Sequence, residues 1–131
     1  MKRYLLLVLL LSNLLLLSQN QSLIDSLENK VGTTSGKEKF YILSDLCWEY
    51  CYPDIEKSFE YSTKEIELAK KLNNDTLLAI AYNDHGRSFQ RLGNYDTTLQ
   101  LYKKSLSLRR KLKDSMGIGA TLSKMATIYN W

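Results

Sequence analysis

The chain has 131 residues and a formal charge of +4 at pH 7, with 44% hydrophobic and 24% charged side chains. That is an ordinary length for one domain with a core, and the mild charge names no partner. With one histidine, two cysteines and no Gly-rich phosphate loop, HExxH or CxxC, the chain reads as non-catalytic, with no metal and no cofactor.

Met1-Lys2-Arg3 is a basic head, and Tyr4 to Leu17 is apolar except for Ser12 and Asn13. The run is shorter than the roughly 20 residues of a membrane span and suits the apolar part of a secretory signal. Residues 1–18 are therefore expected to be a signal peptide, cut after Ser18. The protein is expected to be exported, periplasmic or associated with the cell envelope; a retained N-terminal anchor is the alternative. No cysteine in this stretch offers a lipoprotein anchor.

Residues 19–36 are expected to form a short helix and a linker. Leu23, Leu27 and Val31 recur at spacing four, which suits a helix capping the first helix pair. Val31 to Gly36 is a loop by composition, and Ser35 with Glu38 forms a capping box pattern.

Residues 37–73 are expected to hold a helix pair. Leu43, Leu46, Cys47 and Tyr50 share one face of the first helix, which is taken to run to Tyr52. Pro53 stops it and Asp54 caps the second. In that second helix Phe59, Ile66, Ala69 and Leu72 are expected inward. Cys47 and Cys51 lie one turn apart, too far for a disulfide within a helix. Packing is expected for Cys47 and partial burial for Cys51, with a bridge between two chains through Cys51 as the lesser alternative.

Residues 75–113 carry the clearest pair. Ile80, Tyr82, Phe89 and Leu92 lie near helical spacing, and Gly86 among them suits a close helix crossing. Gly93-Asn94 breaks the pattern and Asn94 caps the next helix, with Leu99, Tyr102, Leu106, Leu108 and Leu112 periodic along it. So short a connection makes the two helices antiparallel. His85 takes an inward position and is expected to pack. Shifting the chain by 40 lays Phe59 on Leu99, Ile66 on Leu106, Leu72 on Leu112 and Phe89 on Tyr129. The earlier turn, Tyr52-Pro53-Asp54, is taken as one residue shorter, a shift of 39. A period near 40 with alternating helices indicates a stacked solenoid.

Residues 115–131 are expected to be an incomplete third unit. Asp114-Ser115 caps it, and Ile118, Leu122, Met125, Ile128 and Tyr129 are expected inward. Its partner helix is absent, so the chain is expected to belong to a larger protein, or to self-associate through the uncapped C-terminal helix.

Charge divides along the chain. Residues 19–78 carry 7 basic and 11 acidic side chains, and residues 79–131 carry 9 basic and 3 acidic. Lys103, Lys104, Arg109, Arg110, Lys111 and Lys113 supply most of the second excess. They are read as a solvated outer helix, not a nucleic-acid surface.

The stretch Ala79–Leu112 resembles a tetratricopeptide repeat. Tyr82, Gly86 and Phe89 fill the family's first-helix positions, Gly93 and Tyr95 its turn, and Tyr102 and Ser105 later positions. His85 stands where Leu is usual, Thr98 where Ala is usual, and Arg110 near the usual Pro. HEAT-like repeats share the period, but Leu92-Gly93-Asn94-Tyr95 favours the tetratricopeptide pattern. The resemblance implies an all-α fold of antiparallel helix pairs stacked as a right-handed solenoid of about two and a half repeats. It also implies a concave groove lined by the first helix of each pair. Contact positions fall on Tyr41, Ser44 and Trp48, then Asn83, Arg87, Gln90 and Arg91, then Ser123, Lys124 and Thr127. Asn and Arg there suit an extended peptide, and Trp48 suits an aromatic anchor. The family's peptide-carboxylate clamp is not reproduced.

The function expected is an exported scaffold for a protein or peptide ligand in that groove. The alternative is the N-terminal sensory region of a membrane histidine kinase or transcriptional regulator, its output domain beyond Trp131. Membrane contact is expected only through a retained N-terminal segment or a later span.

Overall fold

A computed structural model describes residues 20–129. The expected signal peptide and its cut, and the terminal Asn130 and Trp131, lie outside these residues. The described chain is all-α: α1 over 20–33, α2 Gly36–Tyr50, α3 Ile55–Lys71, α4 Asp75–Arg91, α5 Tyr95–Lys111 and α6 Ser115–Tyr129. Each helix from α2 onward packs on the next, and α2 also meets α4, as stacked pairs require. No helix of the described residues is long and apolar enough to cross a membrane.

The turns explain the regular spacing. Leu72-Asn73-Asn74, Leu92-Gly93-Asn94 and Leu112-Lys113-Asp114 have one construction. The middle residue is left-handed, with φ of 48°, 72° and 56° in turn. Its N–H donates to the carbonyl of Lys70, Gln90 or Arg110, and the next N–H reaches back to Ala69, Phe89 or Arg109. These are Schellman closures, which satisfy the last carbonyls of the helix. The third residue then caps the following helix: Asn74 accepts from Leu77 N–H, Asn94 from Thr97 and Asp114 from Gly117. One tripeptide thus ends one helix and starts its antiparallel neighbour.

The α2–α3 turn differs, and it corrects the sequence register. Residues 51–54 separate α2 from α3, whereas only 92–94 separate α4 from α5. The turn is one residue longer than its counterpart, not shorter, because α2 already stops at Tyr50. Pro53 has no N–H to give to a Schellman closure. Asp54 still caps α3 through Lys57 N–H at 3.1 Å.

Other expectations change at helix ends. The linker shrinks to residues 34–35, because α1 runs on to 33. Ser35 makes no side-chain cap: Gly36 follows it with φ +60° and turns the chain between the hydroxyl and the helix amides. Leu72, Leu92 and Leu112 are 37%, 59% and 40% exposed. As C-terminal caps they fall beyond the packed stripe of their helices. On α6, Leu122 and Tyr129 are exposed; Gly117, Thr121, Met125 and Ile128 are the buried positions. Cys51 is buried, not half-buried. Both thiols are free.

The core is segmented along the stack. Ile24 of α1 packs with Ile42, Leu43, Leu46 and Tyr61, flanked by Leu27 and Val31, so α1 does cover the first pair; Leu23 points away. Phe40, Ala69, Leu77 and Ala81 join α2, α3 and α4. Tyr102, Leu106, Met125 and Ile128 join α5 and α6. Between α4 and α5 the contact is close. A Cβ on Gly86 would lie 2.7 Å from Cε1 of Tyr102, which accounts for glycine in mid-helix.

Candidate binding groove

Asp84 organises the face shared by α2 and α4. It is 4% exposed and accepts from Ser44 Oγ at 2.8 Å and from Arg87 Nη2 at 3.1 Å. Arg87 lies one turn along α4, where an i,i+3 partner falls naturally. Bonded to Asp84, the guanidinium lies over Trp48, with Cζ 3.3 Å from the ring centroid. One turn further, Arg91 lies 4.1 Å from the centroid of Tyr52. Two arginines at spacing four on α4 therefore stack on two aromatics, Trp48 in the last turn of α2 and Tyr52 in the turn that follows it. Asp84 and the ring offset only part of the desolvation of the Arg87 guanidinium, since its buried Nε and Nη1 have no hydrogen-bond partner among the described residues.

Beside this ladder is a hollow of about 340 Å³ lined by Tyr52, Arg87, Gln90, Arg91 and Tyr95. Gln90 accepts from the Tyr102 hydroxyl at 3.0 Å. That phenol is pushed up to about 12 by burial, so it remains a donor. Lys124 of α6 is half-buried. Burial lowers its ammonium pKa, Asp84 raises it, and Arg87 and Arg109 lower it further.

The structure thus gathers Ser44, Trp48, Arg87, Gln90 and Arg91, whereas Lys124 on α6 makes no side-chain hydrogen bond or ion pair with them among the described residues. Asn83 lies beneath the surface at 4% exposure, donating to Thr121 Oγ1 at 3.3 Å, and its carbonyl oxygen has no partner. Tyr41 is exposed and edge-on to Phe40. Ser123 and Thr127 are exposed, with the Thr127 hydroxyl turned back to the Lys124 carbonyl. Among the described residues these last three make no hydrogen bond or ring contact with the arginine ladder. Asp84, Tyr52 and Tyr95 join the site unannounced. The i,i+3 relation of Asp84 to Arg87 and the i,i+4 relation of Tyr52 to Trp48 were the available signals.

Below the ladder is a layer of buried polar groups. Cys47 Sγ is 3.4 Å from Ser58 Oγ, which is 2.9 Å from Ser88 Oγ. Burial raises the Cys47 thiol and so keeps it protonated. His85 Nδ1 and Ser62 Oγ are 2.8 Å apart, and the imidazole is wedged edge-on between Phe59 and Phe89. Ser62 is fully buried, so this pair faces protein, and burial lowers the imidazole pKa. Among the described residues, no three His, Cys, Asp or Glu side chains gather as a metal site.

Compared with protein-family models, curated proteins and solved structures, the chain matches none.

Proposed function

We propose that this chain is a scaffold of tetratricopeptide-like helix pairs that binds a protein or peptide through the face shared by α2 and α4. The observation that carries the reading is the ladder of Trp48 on Arg87 and Tyr52 on Arg91, open on one side to a polar hollow. Trp, Tyr and Arg are the residues that dominate binding energy at protein interfaces, and rings held by stacking lose little freedom on binding. Trp48 is 52% exposed and Tyr52 72%, so both offer apolar area to a partner.

The test is selection of binders from a random peptide display library against the full chain, followed by affinity measurement on two variants. Trp48→Ala and Arg91→Ala are expected to weaken selected peptides by about 2 kcal/mol each while helicity stays intact. Peptides that bind both variants as well as the wild type would refute the assignment. Asn83 and Arg87 are poorer probes despite their place in the pattern, because their side chains are tied into Thr121 and Asp84.

The reading extends to export, on the basic head and apolar run of residues 1–18. Protein recovered from its host should then begin near residue 19. An intact Met1 would count against export with cleavage.

A further inference from the structure

Away from the α2–α4 face, a cavity of about 360 Å³ opens between the end of α1, the first half of α2 and the second half of α3. Val31, Leu43 and Leu68 line its apolar part, and all three belong to the core segment that fixes α1 to the first pair. Lys39, Lys64 and Lys71 stand around it with Glu67. Lys64 is already paired with Glu60. Lys39 and Lys71 form no ion pair among the described residues, and Glu67 is the one carboxylate in the lining. An apolar hollow of a few hundred Å³ with a small number of convergent charges is the usual form of a small-molecule site.

We infer that this cavity binds a single-chain anionic amphiphile, with the alkyl chain on Val31, Leu43 and Leu68 and the anionic head between Lys39 and Lys71. The two parts of the cavity require the two parts of the ligand. A purely polar anion would leave the leucine and valine surface wet, and a neutral hydrocarbon would leave both ammonium groups unused. Lysine is a flexible point charge, which suits a head of either carboxylate or phosphate shape. Because Val31 comes from α1, an occupant also ties the N-terminal helix to the pair it covers. The site is separate from the α2–α4 face and does not depend on what binds there.

Calorimetric titration of the full chain with sub-micellar decanoate tests the inference, with decyltrimethylammonium carrying the same tail on a cation. Saturable binding of decanoate alone is expected. Lys39→Glu with Lys71→Glu should weaken it by about tenfold or more. Lys103→Glu with Lys104→Glu, the same charge change on α5, should leave it unaltered. No saturable binding, equal binding of the cationic amphiphile, or equal loss in both double variants would overturn the site. Sedimentation with phosphatidylcholine vesicles containing phosphatidylglycerol separates the sources of such a ligand. Co-sedimentation that decanoate competes away assigns the head to a membrane lipid. Decanoate binding without co-sedimentation assigns it to a soluble amphiphile. Co-sedimentation that neither decanoate nor Lys39→Glu with Lys71→Glu diminishes, together with no saturable decanoate binding, would contradict the pocket.

Discussion

Glu65 is fully buried on α3, and neither carboxyl oxygen has a hydrogen-bond partner. Burial raises its pKa well above the usual carboxylate value, and the nearby Asp84 carboxylate adds to the rise. Asp84 is close enough to repel the charge, but it already accepts from Ser44 and Arg87 and makes no hydrogen bond of ordinary geometry with Glu65. The folded chain therefore holds a proton that the unfolded chain releases above about pH 4.5. Stability falls as pH rises from there towards the folded pKa. Glu65→Met should be more stable than the wild type by about 2 kcal/mol at pH 8, with the gap narrowing near pH 4. Urea unfolding at the two pH values checks this, and a gap independent of pH would exclude Glu65 as its source. His85 acts in the opposite sense. Its pKa is lowered by burial, so its contribution is lost as pH falls below about 6.5. Gly86 gives a second residue-scale test. Its missing Cβ makes room for Tyr102, which is buried and tied to Gln90. Gly86→Ala gains about 1 kcal/mol of helix propensity but overpacks by about 1–3 kcal/mol, so a net loss is expected in thermal unfolding. Tyr102→Leu in the same chain should remove most of that loss; the same loss with Leu at 102 would place its cause elsewhere.

At the scale of the element, the three Schellman turns share their hydrogen bonds but differ in how well the middle residue suits positive φ. Glycine at 93 has no Cβ to clash, asparagine at 73 tolerates the conformation at small cost, and lysine at 113 bears the full penalty. Lys113→Gly should stabilise the chain by about 1 kcal/mol, and Gly93→Lys should cost a similar amount. Equal melting temperatures for wild type and both variants would show that the turns are not strained as their φ values imply. The caps Asn94 and Asp114 in these turns, and Asp54 in the α2–α3 turn, were legible in the sequence because they sit where patterns break; the cap Asn74 was not read. The left-handed residues at 73 and 113 were not, since neither is glycine. The inward faces were only half legible. Reading for apolar stripes finds Leu43, Leu46 and Met125, but α4 turns Ala79, Ala81, Asn83, Asp84, Gly86 and Ser88 inward. Small and polar residues carry no hydrophobic signal, yet they are what lets helices approach closely. The groove suffered from the same blindness. The repeat pattern pointed to Trp48, Arg87 and Arg91, which lie on the face shared by α2 and α4, but not to Asp84, which is bonded to Arg87.

Across the whole molecule, each segment of core ties only neighbouring helices, so stability should be distributed unevenly along the chain. At one end α1 is pinned twice. Ile24 is buried, and Glu28 accepts from Tyr50 and Tyr61 at 2.7 and 3.0 Å with Lys57 at 3.6 Å. At the other end α6 rests mainly on α5 through Met125 and Ile128, and exposes Met116, Leu122 and Tyr129. Its hydrogen bond to α4 is Asn83 to Thr121, where both residues are buried. Thr121→Val keeps the shape and removes the acceptor, leaving the Asn83 amide unsatisfied beside its already unpartnered carbonyl. The cost is about 1–3 kcal/mol, and it falls on the contact between α6 and α4. Hydrogen exchange read by mass spectrometry should show residues 115–129 opening faster in the variant, by about fivefold or more. Peptides from α3 should exchange as before, because their protection comes from contacts with α2 and α4 that α6 does not share. Uniform acceleration across all helices would mean that the stack unfolds as one cooperative unit, and that the segmentation of its core has no counterpart in its energetics.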